Sequence, residues 1–188
     1  TAFSGDVAMP AAFTVASTSS SLETRAVTQH EKASHKVGDD QPRYLRIERL
    51  DVDARVLPVG VDNQRRMQTP VNIHDVGWYD ASSKPGQQAA TVLDGHRSGW
   101  EMAGVFRKLN ELQPGDTLTV ERGDGVVLRY AVTKSRVYDA AQVDMAAALR
   151  PSDGTAQGLN LISCAGRVVP GTNEFDKRIV VWAKRLDG

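Results

Sequence analysis

Cys164 is the only cysteine of the chain. It closes the apolar run LNLISC and is followed by Ala165-Gly166, so it falls where a strand ends and a loop opens, a place where folds display reactive groups. An unpaired thiol has two uses. It packs as a small apolar residue, the commoner fate of buried cysteine, or it reacts, and reaction needs surroundings that deprotonate it. A single cysteine excludes an intrachain disulfide and a multi-cysteine zinc site.

Histidine is the usual partner of a reactive thiol, and the chain has four, His30, His35, His74 and His96. The first two lie in the N-terminal stretch, and His74 reads as a solvated or capping residue in the turn-rich PVNIHDVGWY. His96 has a different setting: ATVLDGHRSG is a buried-type strand running into Asp94-Gly95-His96, which again brings a side chain out at a strand end. Spacing alone does not tie His96 to Cys164. Arg178 opens the apolar run RIVVWAKRL. As a surface charge it needs no explanation; as a fixed cation beside a thiol it would donate hydrogen bonds to a carbonyl or an oxyanion and would not titrate. Arg167 and Lys177 compete for that task.

The elements that must position these groups are mostly strands. YLRIERL alternates Leu45 and Ile47 with Arg46 and Glu48, and ARVLPVGV follows an Asp-containing turn. TLTVER, the turn Gly123–Gly125 and VVLRYAVTKSRVY read as a hairpin with Val126, Leu128, Tyr130 and Val132 on one face. Two segments read as short helices: EMAGVFRKLNEL, ended by Pro114-Gly115, and QVDMAAALRP, where Asp144 supplies the N-cap. LNLISCA and RIVVWAKRL are further strands separated by a loop from Gly166 to Lys177. Seven or eight short strands with two small helices give an all-β domain, a closed barrel or a sandwich.

Residues 1–41 differ in texture, being rich in Ser, Thr and charge, and read as a flexible linker or a lid. Within them Ser21 followed by LETRAVTQHEKA is a candidate helix start, with Leu22, Ala26 and Val27 on one side. At 188 residues and 40% hydrophobic, the chain can bury one sizeable core. Its 23 basic and 23 acidic residues balance, which gives no reason to expect nucleic acid or an anionic membrane surface as partner. A neutral protein or peptide fits better. No apolar stretch reaches the about 18 to 20 residues of a membrane helix.

Three segments together, TVLDGHRSGWEMAGVFRKLNELQPGDTLTV, LNLISCAG and DKRIVVWAK, resemble the signatures of the sortases, cell-surface cysteine transpeptidases of bacteria. The order and spacing of the three agree with the family. RIERLDVDARVLPVGV, VGWY and the stretch before LNLISC extend the likeness from Pro42 to the end of the chain, which sets residues 42–188 apart as a catalytic domain. The class is left unassigned, with the class D/E-like group one candidate.

The resemblance implies a closed β-barrel of seven to eight strands with two or more short helices. It makes Cys164 the nucleophile, His96 the acid/base partner and Arg178 the stabiliser of substrate and oxyanion. Ser163, Gly95 and Ala165 would border the bound peptide, and Met145 and Leu149, in the loop Asp139–Asn160, would wall an apolar groove. Two departures stand out: Ser163 replaces the family's usual threonine and keeps its hydroxyl, while Asp94 replaces a small residue. A carboxylate there, if it faced the site, would favour an imidazolium.

The implied substrate is a protein with a C-terminal sorting signal of the Leu-Pro-x-Thr-Gly type or a variant. The implied amine acceptor is a peptidoglycan precursor or a pilin lysine. A hydrolase of the same fold and a silent peptide-binding module with a buried cysteine are the alternatives. No metal or cofactor is expected, since Glu101, Glu111 and Asp153 lack ligand spacing; Ca2+ activation is left open. The expected location is the cell surface, with a membrane anchor N-terminal to Thr1.

Overall fold

Period-two alternation becomes inside and outside of a barrel. In a computed structural model that describes residues 23–98, 102–152 and 154–186, β1 (Pro42–Ile47) buries Leu45 and Ile47 and β2 (Val52–Val59) buries Val52, Ala54, Val56 and Val59. β3 (Val76–Tyr79), β4 (Ala89–Gly95), β5 (Thr117–Arg122), β6 (Val127–Asp139), β7 (Gln157–Val168) and β8 (Phe175–Arg185) complete the sheet. The strand order β1-β2-β3-β4-β7-β8-β6-β5 closes on itself through the antiparallel pair β1·β5, so no strand edge is left open. Of the two architectures left open by alternation, the closed barrel with eight strands is the one formed.

The β5–β6 hairpin forms as expected, with Leu128, Tyr130 and Val132 buried; Val126 lies outside the strand and is exposed. Pairs β2·β3 and β4·β7 are parallel. The barrel interior is filled by Leu45, Ile47, Leu93, Leu161, Ile179 and Val181 among others. A second apolar cluster lies on the outer face of β4, β7 and β8, where Val92, Ile162, Val180 and Trp182 pack with Met67 and Ala148.

Several sequence expectations are corrected. The segment 102–112, expected as a helix, consists of turns and one 3-10 turn at Leu109–Glu111. Its backbone donors are spent on other partners: Gly104 N–H donates to Arg97 O and Phe106 N–H to His96 O, both at 2.9 Å, and Val105 N–H reaches Ile73 O. A helical ladder would need those donors. The expected loop Gly166–Lys177 is shorter, because β7 continues to Val168 and β8 begins at Phe175. A bulge between Ala165 and Val168 absorbs Gly166, at φ +78°, and Arg167 N–H donates to Asp176 Oδ1 at 2.8 Å.

The helix sought from Ser21 begins later. α1 (Gln29–Ser34) is capped by Thr28, which forms a reciprocal capping box with Glu31; Ala26 and Val27 precede it, and Leu22 lies outside the described residues. Residues 23–41, expected as linker or lid, run along the barrel wall. Glu23 N–H donates to Val71 O, Ile73 N–H donates to Glu23 O, His35 Nε2 donates to Val56 O at 2.8 Å, and Tyr44 Oη donates to Lys32 O. The second helix, α2 (Met145–Ala148), stands where the sequence places it, with the Asp144 carboxylate accepting from Ala147 N–H at 2.9 Å.

Candidate active site

Register brings the three candidate groups together. In the antiparallel pair β7·β8 Cys164 stands directly opposite Arg178. On the other side of β7, the parallel strand β4 pairs Asp94 with Ile162, and Ser163 Oγ donates to Gly95 O at 2.8 Å, carrying the alignment beyond the ladder. His96 follows Gly95 immediately, one residue past the end of β4. Alternation settles the face: Leu161 and Ala165 point into the barrel, as do Ile179 and Val181, while Ile162, Val180 and Trp182 belong to the outer cluster. Cys164, Arg178 and His96 share the parity of that outer cluster, and all three are buried, at 7%, 3% and 4% exposure.

A cavity of about 20 Å³ opens beside the thiol, lined by Cys164, Arg178, Asp94, Thr69 and Met67 with Gly95, Ile162 and Ser163. A larger one of about 280 Å³, between the β1–β2 turn and Arg107, contains neither the thiol nor the cation. The chemistry belongs to the smaller cavity, since the nucleophile fixes where a reacting carbon must sit.

Burial dominates the ionisation of the site. It pushes the Cys164 thiol up, Arg178 pulls it down, and Asp94 pushes it further up. Burial also lowers the His96 pKa, against a carbonyl hydrogen bond that favours the charged ring. The resting pair is therefore a thiol and a neutral imidazole. His96 Nε2 lies 2.7 Å from Pro70 O; a carbonyl only accepts, so Nε2 carries the proton and Nδ1 offers its lone pair. Arg178 Nη1 donates to Phe175 O at 2.8 Å and Lys177 O at 2.9 Å. These bonds fix the guanidinium at the start of β8. Such a set can accept a proton from sulfur, hold it on imidazole and stabilise charge on a carbonyl oxygen.

Asp94 faces the site. Its carboxyl is buried, at 3% exposure, and burial drives its pKa well above the ordinary carboxylate range. Burial thus works against the negative charge that would favour an imidazolium, and the His96 ring is governed by its own burial and the Pro70 carbonyl. The linkage has a definite sign: the folded state keeps a proton that the unfolded chain releases above about pH 4, so stability falls as pH rises through that range. Asp94→Asn is expected to raise Tm at pH 7, by about 2–4 °C for each kcal/mol recovered. The gain over the parent should vanish near pH 3, where both forms of Asp94 are protonated. Melting curves at the two pH values decide it, and a pH-independent gain would exclude titration as its source.

The remaining sequence candidates divide. Met145 and Leu149 pack on the outer cluster beside Ile162, Val180 and Trp182 and are not among the residues that line the cavity at the thiol. Two hydrogen bonds from Asn160 Nδ2, to Ala148 O and Arg150 O at 2.7 Å, hold this segment on the barrel, with a third from Trp182 Nε1 to Ala147 O at 3.1 Å. Ser163 and Gly95 line the cavity and are tied to each other. Ala165, expected at the peptide, is corrected: it faces the barrel interior and joins the main core. At the rim the Arg97 guanidinium lies over the Phe175 ring at 5.7 Å, linking the segment after β4 to the start of β8.

Met67, Thr69 and Ile162 were not singled out from the sequence. Ile162 was reachable, two residues before Cys164 on the same face. Met67 and Thr69 lie in QRRMQTPV, which has no period, and only tertiary contact shows Met67 to be 1% exposed.

Comparison with known proteins bears on the fold and the family. A model of the sortase domain matches residues 45–186. Among solved structures, the chain resembles sortase C-1 from Actinomyces oris with 26% identity and a TM-score of 0.58, covering 89% of this chain and 85% of that one. It resembles a lid mutant of sortase A from Corynebacterium diphtheriae with 22% identity and a TM-score of 0.60, covering 85% and 77%. Sortase C from Streptococcus pneumoniae gives 19% identity and a TM-score of 0.60, covering 88% and 76%. No curated protein matches the chain significantly by sequence.

Proposed function

The chain belongs to the sortase family and is a sortase-type cysteine transpeptidase, and from this premise we propose that Cys164 is its nucleophile, His96 its proton carrier and Arg178 its oxyanion donor. The observation that carries the reading is the register: Cys164 opposite Arg178, with His96 closing the parallel strand on the other flank.

In the proposed cycle the Cys164 proton passes to His96 Nδ1 as sulfur attacks the peptide carbonyl, and Arg178 stabilises the oxyanion. The C–N bond then breaks and the leaving amine takes the proton from His96. An acceptor amine attacks the thioester, its proton returns by way of His96, and the C–S bond breaks as the new amide forms. The chemistry draws on side chains alone.

The proposed acyl donor is a protein with a C-terminal signal of the Leu-Pro-x-Thr-Gly type or a variant, laid across the outer face of β4, β7 and β8 against Met145 and Leu149. The proposed acceptor is an amine of a peptidoglycan precursor or a pilin lysine. Pilin specificity is described for the S. pneumoniae sortase C. The family acts at the cell surface, and a membrane tether is part of the same proposal.

A panel of such peptides, incubated with and without a glycine-peptide or lysine-peptide amine and followed by mass spectrometry, tests the reading. A thioacyl adduct on Cys164 and an acceptor-dependent amide product are expected. Release of free acid alone at saturating amine would replace transfer by hydrolysis. A folded protein that forms no adduct with any peptide would overturn the signal.

A further inference from the structure

β4 ends at Gly95, so the strand ladder does not hold His96. Its main-chain O accepts from Phe106 N–H at 2.9 Å, and its ring is held by the bond from Nε2 to Pro70 O at 2.7 Å. Pro70 is buried, in a stretch outside any strand or helix between Met67 and β3. The imidazole is placed no better than that stretch is, and contacts from elsewhere in the chain must fix it.

Residues 23–25 supply most of them. Glu23 forms a parallel bridge with Asn72: Glu23 N–H donates to Val71 O at 2.9 Å, and Glu23 O accepts from Ile73 N–H at 3.0 Å. Asn72 is 5% exposed and bonds in two directions. Its Nδ2 donates to Arg25 O at 2.9 Å, and its Oδ1 accepts from His74 N–H at 2.9 Å. His74 Nε2 donates to Thr24 O at 3.1 Å. Arg55 also grips Asp75 through two bonds, at 2.9 and 2.7 Å. Every residue from 71 to 75 is thereby tied, and Val71 is covalently next to the carbonyl that holds the ring.

We propose that Asn72, clasping residues 23–25, is a positioning residue for His96: the clasp fixes segment 70–75, and through the Pro70 carbonyl it keeps the imidazole in one tautomer, with Nδ1 free to take the thiol proton. Residues 23–25, expected from the sequence as linker or lid, then belong to the acyl-transfer machinery. The inference rests on His96 being the proton carrier.

Asn72→Ala removes the side-chain clasp, and Glu23→Pro removes the N–H that reaches Val71 O. Thr28→Ala is the control, since it breaks the capping box of α1 and destabilises the same stretch without touching segment 70–75. The first readout needs no peptide. In protein labelled with 15N-histidine, with the His96 signal identified by its loss in His96→Gln, the parent is expected to show one tautomer, protonated at Nε2. In Asn72→Ala and Glu23→Pro both tautomers should be populated and the Nε2 proton should exchange about 10-fold faster. Thr28→Ala should match the parent.

The second readout is peptide turnover, at a temperature where melting curves show every variant folded. Asn72→Ala and Glu23→Pro are expected to lower kcat about 10- to 100-fold, with KM within about twofold of the parent. Both act through one clasp, so the double variant should lose little more than the worse single one. An unchanged His96 signal in both clasp variants overturns the proposal, as does a loosened signal with undiminished kcat. An equal loss of kcat in Thr28→Ala assigns the effect to general stability and overturns the positioning role. A loosened signal in a protein that turns over no peptide supports the clasp and overturns only the sorting signal proposed above.

Discussion

Cys164→Ala is expected to lower peptide turnover by about 10⁴-fold or more while leaving a folded protein. The size of the effect follows from covalent catalysis: without sulfur there is no thioester, and the residual rate comes only from binding and oxyanion stabilisation. The folded state should survive because the side chain lost is small, at a cost on the order of 1 kcal/mol. The packing use of the thiol is then separable from the chemical one. A packing residue would cost stability and spare turnover; the nucleophile costs turnover and little stability. Melting and turnover measured on the same preparation decide between them. Undiminished turnover would move the nucleophile away from the only cysteine in the chain.

Arg178→Ala is expected to lower kcat by about 10²- to 10³-fold, the usual cost of one oxyanion donor. It should also slow alkylation of Cys164 by iodoacetamide at pH 8, because Arg178, ahead of Arg97, opposes the upward push of burial on the thiol. The second readout separates a chemical role from a structural one. Arg178 also holds the carbonyls of Phe175 and Lys177, so some loss of stability accompanies its removal, on the order of 1–3 kcal/mol. Arg178→Lys divides the two effects: the charge remains and alkylation should stay near the parent rate, while the fork geometry is lost and kcat should still fall. If alkylation of Arg178→Ala matches the parent, the guanidinium does not set the ionisation of the thiol.

Strands were the legible part of this sequence, because period-two alternation in YLRIERL and VVLRYAV leaves little freedom about which face is buried, and LNLISCA is a continuous apolar run buried on both faces. Cys164, His96 and Arg178 each stood out from their place at the end of an apolar run, although β7 and β8 extend beyond Cys164 and Arg178, and the quoted segments gave them a common context. EMAGVFRKLNEL was misread because its apolar residues suit a helical face, while its backbone is captured by His96, Arg97 and Ile73. No local pattern announces such pairing. The facing of Asp94 depended on two things outside its own strand: the missing side chain at Gly77 and the buried Pro70 packed beside it. Ala165 was misplaced by one step of alternation; adjacent to the nucleophile in sequence, it faces the opposite side of the sheet.

The bond between Ser163 and Gly95 joins residues 68 positions apart in sequence, and the parallel pairing around it has no short hairpin to bring it about. Contacts of such separation form slowly, after local hairpins such as β5–β6 and β7–β8. During synthesis and early folding Cys164 and Arg178 can already face each other while His96 is still far away. Under the proposed roles, acyl transfer requires the completed molecule, and a chain halted part-way carries the thiol without its proposed proton carrier.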